Sequence, residues 1–504
     1  MPRPRPALCA LAAVLALGCS TSVNPATGRR EVVLMTPEDE QRIDEQAVRE
    51  VEANPGIVSD PELTAYVEQV GSRLAVESPR RDLEYHFQIV EMDEPNAFAL
   101  PGGHVFVSRG LLVLANTESE LAHVLGHEIG HVAARHSAKI QAHASTLGLA
   151  TLLGNLMSGG AEEVHESERM SGDPIARYAR AQERQADQLG QDIANRSGVE
   201  PGGMARFLTS LDNYTKLSQG FSMPRTYFAT HPATRERMAE AAGRAVAEGW
   251  KGGSADVALG GRYPSYTEAR NAYLDRIDGM AVTRPASEGV IVEDRFLHAD
   301  LGFSLRFPYG WTIHNEPSRV FALSPKRDGV AILELQGTGS DPVAAAREFA
   351  ANEGIGLREG TPVRIGELYG FRALATVPAG NAAMNAEMTW VAYEGRIYRL
   401  VGGQSGGHPG KYEGLYRKFA QSFRALTPEE ASGIEDLRLR SVRARAGETL
   451  AALSERVGNQ WDLTFTSVVN NVFTHDVLAE GQRIKVAVKE PYVGEPVPLA
   501  GEEG

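Results

Sequence analysis

Cysteine is nearly missing from this chain: its 504 residues include 2, Cys9 and Cys19. No thiol lies beyond residue 19, which excludes disulfides, thiol catalysis and a cysteine-based metal site from the rest of the sequence. Any metal there must be held by histidine and carboxylate. Long apolar runs are scarce too. Residues 7–17 form one that is too short for a membrane-spanning helix, and no spanning stretch follows it. Positive charge is in deficit: 51 Lys and Arg against 65 Asp and Glu give a net charge of −14, which argues against nucleic acid as a partner. With 42% hydrophobic and 23% charged residues, the composition is that of soluble globular protein. The length suggests two to four domains.

Histidine carries the strongest signal. His127, Glu128 and His131 spell H-E-x-x-H within residues 118–138, a proline-free stretch with Leu121, Val124, Leu125, Ile129 and Val132 at helical spacing. The spacing predicts one helix over that range. Residues four apart share a helix face, about 6 Å apart along the axis, so both imidazoles can reach one tetrahedral Zn²⁺. Glu128 is too close in sequence to be a third ligand and is well placed to take a proton from a water on the metal. The bland alternative is a surface helix with two incidental histidines. His123 also lies four residues from His127, but that pair encloses no glutamate at the right place. It is assigned to packing.

Further segments bear on the same site. Residues 97–100 and 104–108 read as short strands about a Pro101-Gly102-Gly103 turn. An extended peptide can add to such an edge through its backbone, which makes Asn96, Ala97, Phe98, Ala99, Gly103 and His104 candidate substrate contacts. Gly126 and Gly130 each cost about 1 kcal/mol in a helix, and close approach of another backbone would explain them. Residues 177–190 read as a helix with Glu183 and Asp187 on one face. Glu183 can complete a His₂Glu set with one open position, and Asp187 can orient a ligand imidazole. Taken alone, that helix would pass for a solvated charged one.

These blocks, together with residues 96–107, resemble in order and spacing the zinc metalloendopeptidases that include HtpX and the type I CAAX prenyl protease, and most of all their soluble bacterial lipoprotein branch. The resemblance covers residues 24–246. It implies one Zn²⁺ per chain on His127, His131 and Glu183, with Glu128 as base and Asp187 as proton donor or structural partner. It also brings in the His231-Pro232 block. There His231 could reach the metal or the oxyanion, Arg237 could support either role, and Thr234 could cap the next helix. A merely structural turn is the alternative.

The two ends of the chain add expectations about location. Residues 15–20, Leu-Ala-Leu-Gly-Cys-Ser, resemble a bacterial lipobox, so residues 1–19 read as a signal peptide and Cys19 as the lipidation site. By resemblance to lipoprotein sorting, Ser20 points to the periplasmic side of the outer membrane, with the lipid as the only membrane contact. An ordinary cleaved signal and a soluble periplasmic protein is the alternative. The expected architecture is multidomain α+β. A mainly helical, gluzincin-type protease domain with a small edge-strand sheet (20–280) is followed by an α+β domain (290–428) of unknown role, which resembles Mog1/PsbP-like domains. Next comes a small βααβ module (437–488) that resembles LysM and could bind peptidoglycan, and then a disordered tail (489–504). The expected function is zinc-dependent cleavage of misfolded or unassembled envelope proteins, with Glu128 activating the water that attacks the scissile carbonyl. The alternatives are a wall-associated binding or chaperone-like protein with a latent zinc site, and a peptidoglycan-peptide hydrolase.

Overall fold

A computed structural model describes residues 20–23, 28, 30–33, 35–136, 174–218, 231–251, 265–379, 382–404 and 410–494. Cys19 and the run 145–173 lie outside them, as does the tail from 495 onward. The chain divides into two compact units: one of Met1–Glu52, Ile57–Thr283 and Arg438–Val488, the other of Ala53–Gly56, Arg284–Leu437 and Lys489–Gly504.

The first unit begins with strands β1 (Ser20–Val23) and β2 (Arg30–Val33), followed by helices α1 (Pro37–Ala53) and α2 (Pro61–Ala75). Asp60 caps α2 by accepting from Leu63 N at 3.0 Å, and proline stands in the first turn, where no N–H is needed. A three-stranded sheet follows, of β3 (His86–Val90), β4 (Ala97–Ala99) and β5 (His104–Ser108), in the order β3-β5-β4. β3 runs parallel and β4 antiparallel to β5. Then come α3 (Arg109–Leu114), α4 (Glu118–Ala133), α5 (Pro174–Arg196), α6 (Gly203–Ser218), α7 (Arg235–Ala247) and α8 (Tyr266–Ile277). Leu121, Leu125 and Ile129 of α4 are buried with Ile193, Phe207 and Leu211. The apolar spacing of α4 thus makes it a central helix of this unit.

The second unit holds β6 (Val290–Val292), β7 (Arg295–His298), β8 (Phe303–Arg306), β9 (Thr312–Glu316), β10 (Arg319–Leu323), β11 (Gly329–Thr338), α9 (Pro342–Glu353), β12 (Arg358–Ile365), β13 (Leu368–Ala379), β14 (Ala382–Tyr393), β15 (Arg396–Gln404), α10 (Glu413–Gln421), β16 (Arg424–Ala425) and α11 (Pro428–Ser432). Seven strands form one sheet in the order β12-β13-β14-β15-β11-β10-β9, and four form another in the order β16-β8-β7-β6. Trp390 is fully buried among Ala346, Ala373 and Met388. After α11 the chain forms β17 (Glu435–Arg443), α12 (Leu450–Val457), α13 (Leu463–Asn470) and β18 (Arg483–Pro491), with β17 and β18 in a two-stranded sheet around Leu450, Leu453, Ile484 and Val486. Mixed helices and sheets in more than one compact unit fit the α+β, multidomain expectation.

The helix predicted over 118–138 ends earlier, at Ala133. Arg135 adopts φ 55, a left-handed conformation that ends an α-helix. Burial pays for this strain: Arg135 Nε donates to Glu40 Oε1 at 2.8 Å and Nη2 donates to Met35 O at 2.9 Å. Both partners lie about a hundred residues away, so no local pattern announced the stop.

Candidate metal centre

α4 and α5 cross closely because neither has a side chain at the crossing. A Cβ on Gly126 would lie 2.9 Å from Gly190 O, one on Gly130 3.0 Å from Ala186 O, and one on Gly190 2.6 Å from His127 N. The glycines in α4 serve the close approach their cost suggested, and Gly190 contributes from the other helix. This crossing brings Glu183 of α5 to the two histidines of α4.

His127 Nε2 lies 3.0 Å from His131 Nε2 and 3.6 Å from Glu183 Oε2, while His131 Nε2 is 3.3 Å from Glu183 Oε1. His231 joins them from the turn before α7: its Nδ1 is 3.2 Å from His127 Nε2 and 2.9 Å from both Glu183 oxygens. The four potential ligand atoms all lie within 4.8 Å of one another. Tetrahedral zinc with bonds of 2.0–2.1 Å has ligand atoms about 3.3 Å apart, so this cluster has the size zinc requires. Its chemistry also fits: three imidazole nitrogens and one carboxylate face a common point, where neutral nitrogens would otherwise oppose lone pair to lone pair.

Other side chains hold these in place. His127 Nδ1 is 2.9 Å from Asp187 Oδ1, and Arg237 grips Asp187 through Nε and Nη2 at 2.7 Å each. Arg237 Nη1 also reaches Glu183 Oε2 at 3.0 Å and Pro232 O at 3.0 Å. Thr234 caps α7 by accepting from Arg237 N at 3.2 Å. Glu128 is buried; its Oε1 is 3.9 Å from His231 Nε2 and has no hydrogen-bond partner among the described residues.

Burial opposes charge throughout the site; charged neighbours override it at three side chains, and burial prevails at two. At His127 the Asp187 and Glu183 carboxylates outweigh burial and raise the pKa to about 10. Burial would raise Asp187, but Arg237 and His127 hold it down to about 2. Glu183 is likewise held well below the usual carboxylate range, by His231 and Arg237. Burial, helped by the charge of His127, takes His131 well below the usual imidazole range, and burial pushes Glu128 up. His127 would have to give up a proton to hold a cation, so uptake of metal would release protons.

The expected substrate contacts lie on the sheet next to α4. Asn96 N donates to Ser108 Oγ at 2.7 Å, and Phe98 stacks on Phe106 at 5.0 Å within the core. The side chains of Ala97, Phe98 and Ala99 are buried, which leaves backbone as the part of β4 able to contact a peptide. Gly103 has φ +116, and a Cβ there would collide with Glu84 O. His104 bonds through Nδ1 to buried Asp44. His123 is also buried: its Nδ1 donates to Ser119 O at 2.8 Å, outside the cluster, in the packing role assigned to it. Sequence reasoning missed the partner of His131, which is His136, with Nδ1 at 3.0 Å from His131 Nδ1, and the partner of His136 in turn, Gln185, with Oε1 at 3.1 Å from His136 Nε2. Gln185 lies two residues after Glu183, but nothing in its type or spacing singles it out.

Comparison with known proteins agrees with this geometry. The family model described as peptidase family M48 matches residues 61–245. The beta-barrel assembly-enhancing protease of Yersinia pestis is 30% identical over 230 residues, covering 44% of this chain and 47% of that protein. The mitochondrial metalloendopeptidase OMA1 of Schizosaccharomyces pombe is 28% identical over 223 residues, covering 42% of this chain and 63% of that protein. The chain spans about half the length of the first of these curated relatives. Among solved structures, cyanobacterial PsbP (CyanoP) from Synechocystis sp. PCC 6803 is similar at a TM-score of 0.23 and 14% identity, over 27% of this chain and 95% of its own, a likeness too low to carry an argument. Residues 61–245 are thus similar to peptidase family M48.

Proposed function

We propose that this chain is a zinc-dependent endopeptidase of gluzincin type that cleaves misfolded or unassembled proteins of the bacterial cell envelope. The observation that carries the reading is the cluster of buried His127, Glu183 and His231 with half-buried His131, whose ligand atoms all lie within 4.8 Å of one another. His127, His131 and Glu183 would hold one Zn²⁺. When bound, zinc supplies Lewis acidity that polarises a carbonyl oxygen and acidifies water. The Glu128 carboxylate takes a proton from the attacking water and returns it to the leaving amine. Asp187 accepts from Nδ1 of His127 and keeps the opposite nitrogen free to bind, while Arg237 holds Asp187 and Glu183 in register. Among the described residues β4 pairs only with β5, and its other edge would take an extended polypeptide through backbone bonds, with little sequence preference.

His231 supports a second, compatible feature, a restrained or latent site. Its Nδ1 stands where a fourth ligand would. The envelope assignment draws on the name of the Yersinia pestis relative. It extends to a lipid at Cys19, the periplasmic side of the outer membrane, and peptidoglycan contact through residues 437–488. Metabolic labelling with a fatty acid and sedimentation with purified sacculi test these two attachments separately.

The central test is Glu128→Gln. The variant should retain zinc by metal analysis and lose cleavage of casein by at least about 10²–10⁴-fold, the usual worth of proton transfer. Turnover at the parent rate would remove Glu128 from the mechanism. Zinc unchanged in His127→Ala combined with His131→Ala would remove the site itself.

A further inference from the structure

The two histidines of α4 are oriented by different means. His127 turns its Nδ1 to a carboxylate, Asp187, at 2.9 Å. His131 turns its Nδ1 to another imidazole, Nδ1 of His136 at 3.0 Å, with the rings 4.9 Å apart and 77° from parallel. The far nitrogen of that ring, Nε2, lies 3.1 Å from Gln185 Oε1.

Two ring nitrogens facing each other can bond only if one carries hydrogen and the other a lone pair. Suppose the hydrogen of His136 were on Nδ1. His131 would then have to offer a lone pair from its own Nδ1 and keep its hydrogen on Nε2, aimed at Glu183 and His127. A nitrogen bearing hydrogen cannot ligate a metal. The opposite arrangement works throughout. His136 Nε2–H donates to Gln185 Oε1, His131 Nδ1–H donates to His136 Nδ1, and Nε2 of His131 presents its lone pair to the cluster.

The backbone makes this contact possible. In a continuous helix, residues five apart point about 140° away from each other, so His136 would diverge from His131. The left-handed turn at Arg135, anchored by Glu40 and Met35, breaks the helix and returns His136 to the same side. Gln185 comes from α5, which also carries Glu183 and Asp187.

We propose that His136 and Gln185 are positioning residues that together fix the tautomer and ring angle of His131 for zinc, an inference that rests on the zinc site proposed above. The test uses the full chain, stripped of metal and titrated with zinc against a chromophoric chelator. His136→Phe should bind zinc about 10–100-fold more weakly, with circular dichroism and thermal midpoint of the stripped protein unchanged, while His136→Gln, whose amide oxygen can accept from Nδ1–H, should stay within about threefold of the parent. Equal affinity in His136→Phe and the parent overturns the inference. So does an equal loss in both variants, which would mean that an acceptor for Nδ1–H is not what the site needs from residue 136. If His136→Phe does not fold, ¹⁵N-histidine spectra of the zinc-loaded parent decide. Hydrogen on Nδ1 of His131 and Nε2 of His136 supports the relay, and the reverse assignment rejects it. A parent that takes up no zinc overturns the proposed function and this inference together, whereas a zinc-binding parent with an indifferent His136→Phe overturns this inference alone.

Discussion

His231 is the side chain on which the activity of this site would turn. Three protein ligands leave zinc one position, and water must have access to it for hydrolysis. With Nδ1 at 3.2 Å from His127 Nε2 and 2.9 Å from the Glu183 oxygens, His231 would compete for that place under the latch proposed above. A latch worth ~1.4 kcal/mol would keep about nine sites in ten closed, so its removal would raise the rate roughly tenfold. We expect His231→Ala to keep its zinc and to cleave fluorescent casein faster by about that factor. An unchanged rate would reject the latch; an abolished rate with intact folding would also reject it and point to oxyanion stabilisation. At this scale the sequence was informative where chemistry follows from spacing, as in the H-E-x-x-H residues. It was silent where a side chain's partner decides its role. His136 stands five residues from His131, and only the broken end of α4 brings its Nδ1 to 3.0 Å from His131 Nδ1.

Among the elements, the crossing of α4 and α5 sets the distance from Glu183 to the histidines. Gly190 is its tightest point, since a methyl group there would meet His127 N at 2.6 Å and Gly126 C at 2.8 Å. Both are backbone atoms in helices and cannot step aside as a flexible side chain could. Gly190→Ala should therefore push the helices apart, costing about 1–3 kcal/mol in urea unfolding despite alanine's better helix propensity. Zinc affinity should fall with it, because Glu183 retreats. A variant as stable as the parent and with the same affinity would show that the crossing has slack. The central helix was legible from its apolar spacing, and Thr234 was readable as the cap of α7, where it accepts from Arg237 N. Thr117 and Ser265 cap α4 and α8 in the same way. The early end of α4 was not, because Glu40 and Met35 impose it from α1 and the residues just before it.

For the molecule as a whole, residues 438–488 belong to the same compact unit as the metal centre. Lys485 is completely buried, and its Nζ donates to Val113 O at 2.6 Å and Ala115 O at 2.8 Å. These carbonyls lie at the end of α3, where a helix leaves acceptors unsatisfied. Arg270 of α8 adds bonds to Asn470 Oδ1 at 2.9 Å and Arg483 O at 2.6 Å. Lys485→Met keeps the aliphatic stem but leaves two buried acceptors without their donor. We expect it to destabilise this unit by about 3 kcal/mol in urea unfolding. A loss of less than about 1 kcal/mol, no more than a surface substitution costs, would show that the C-terminal segment is only loosely attached.

What the sequence determined by itself is local. The H-E-x-x-H spacing, the helix caps, the strand-turn-strand of residues 97–108 and the glycines facing a neighbour all follow from interactions a few residues long. So does the exclusion of cysteine as a ligand. Tertiary structure alone decided that the His231 ring meets the two H-E-x-x-H histidines at one point, where α4 stops, and that the segment carrying Lys485 packs on α3. Those outcomes depend on contacts such as His127 with His231, 104 residues apart, or Lys485 with Val113, 372 apart. Neither residue type nor periodicity encodes such a pairing, because it is selected by how helices and sheets fit together once their apolar faces are buried.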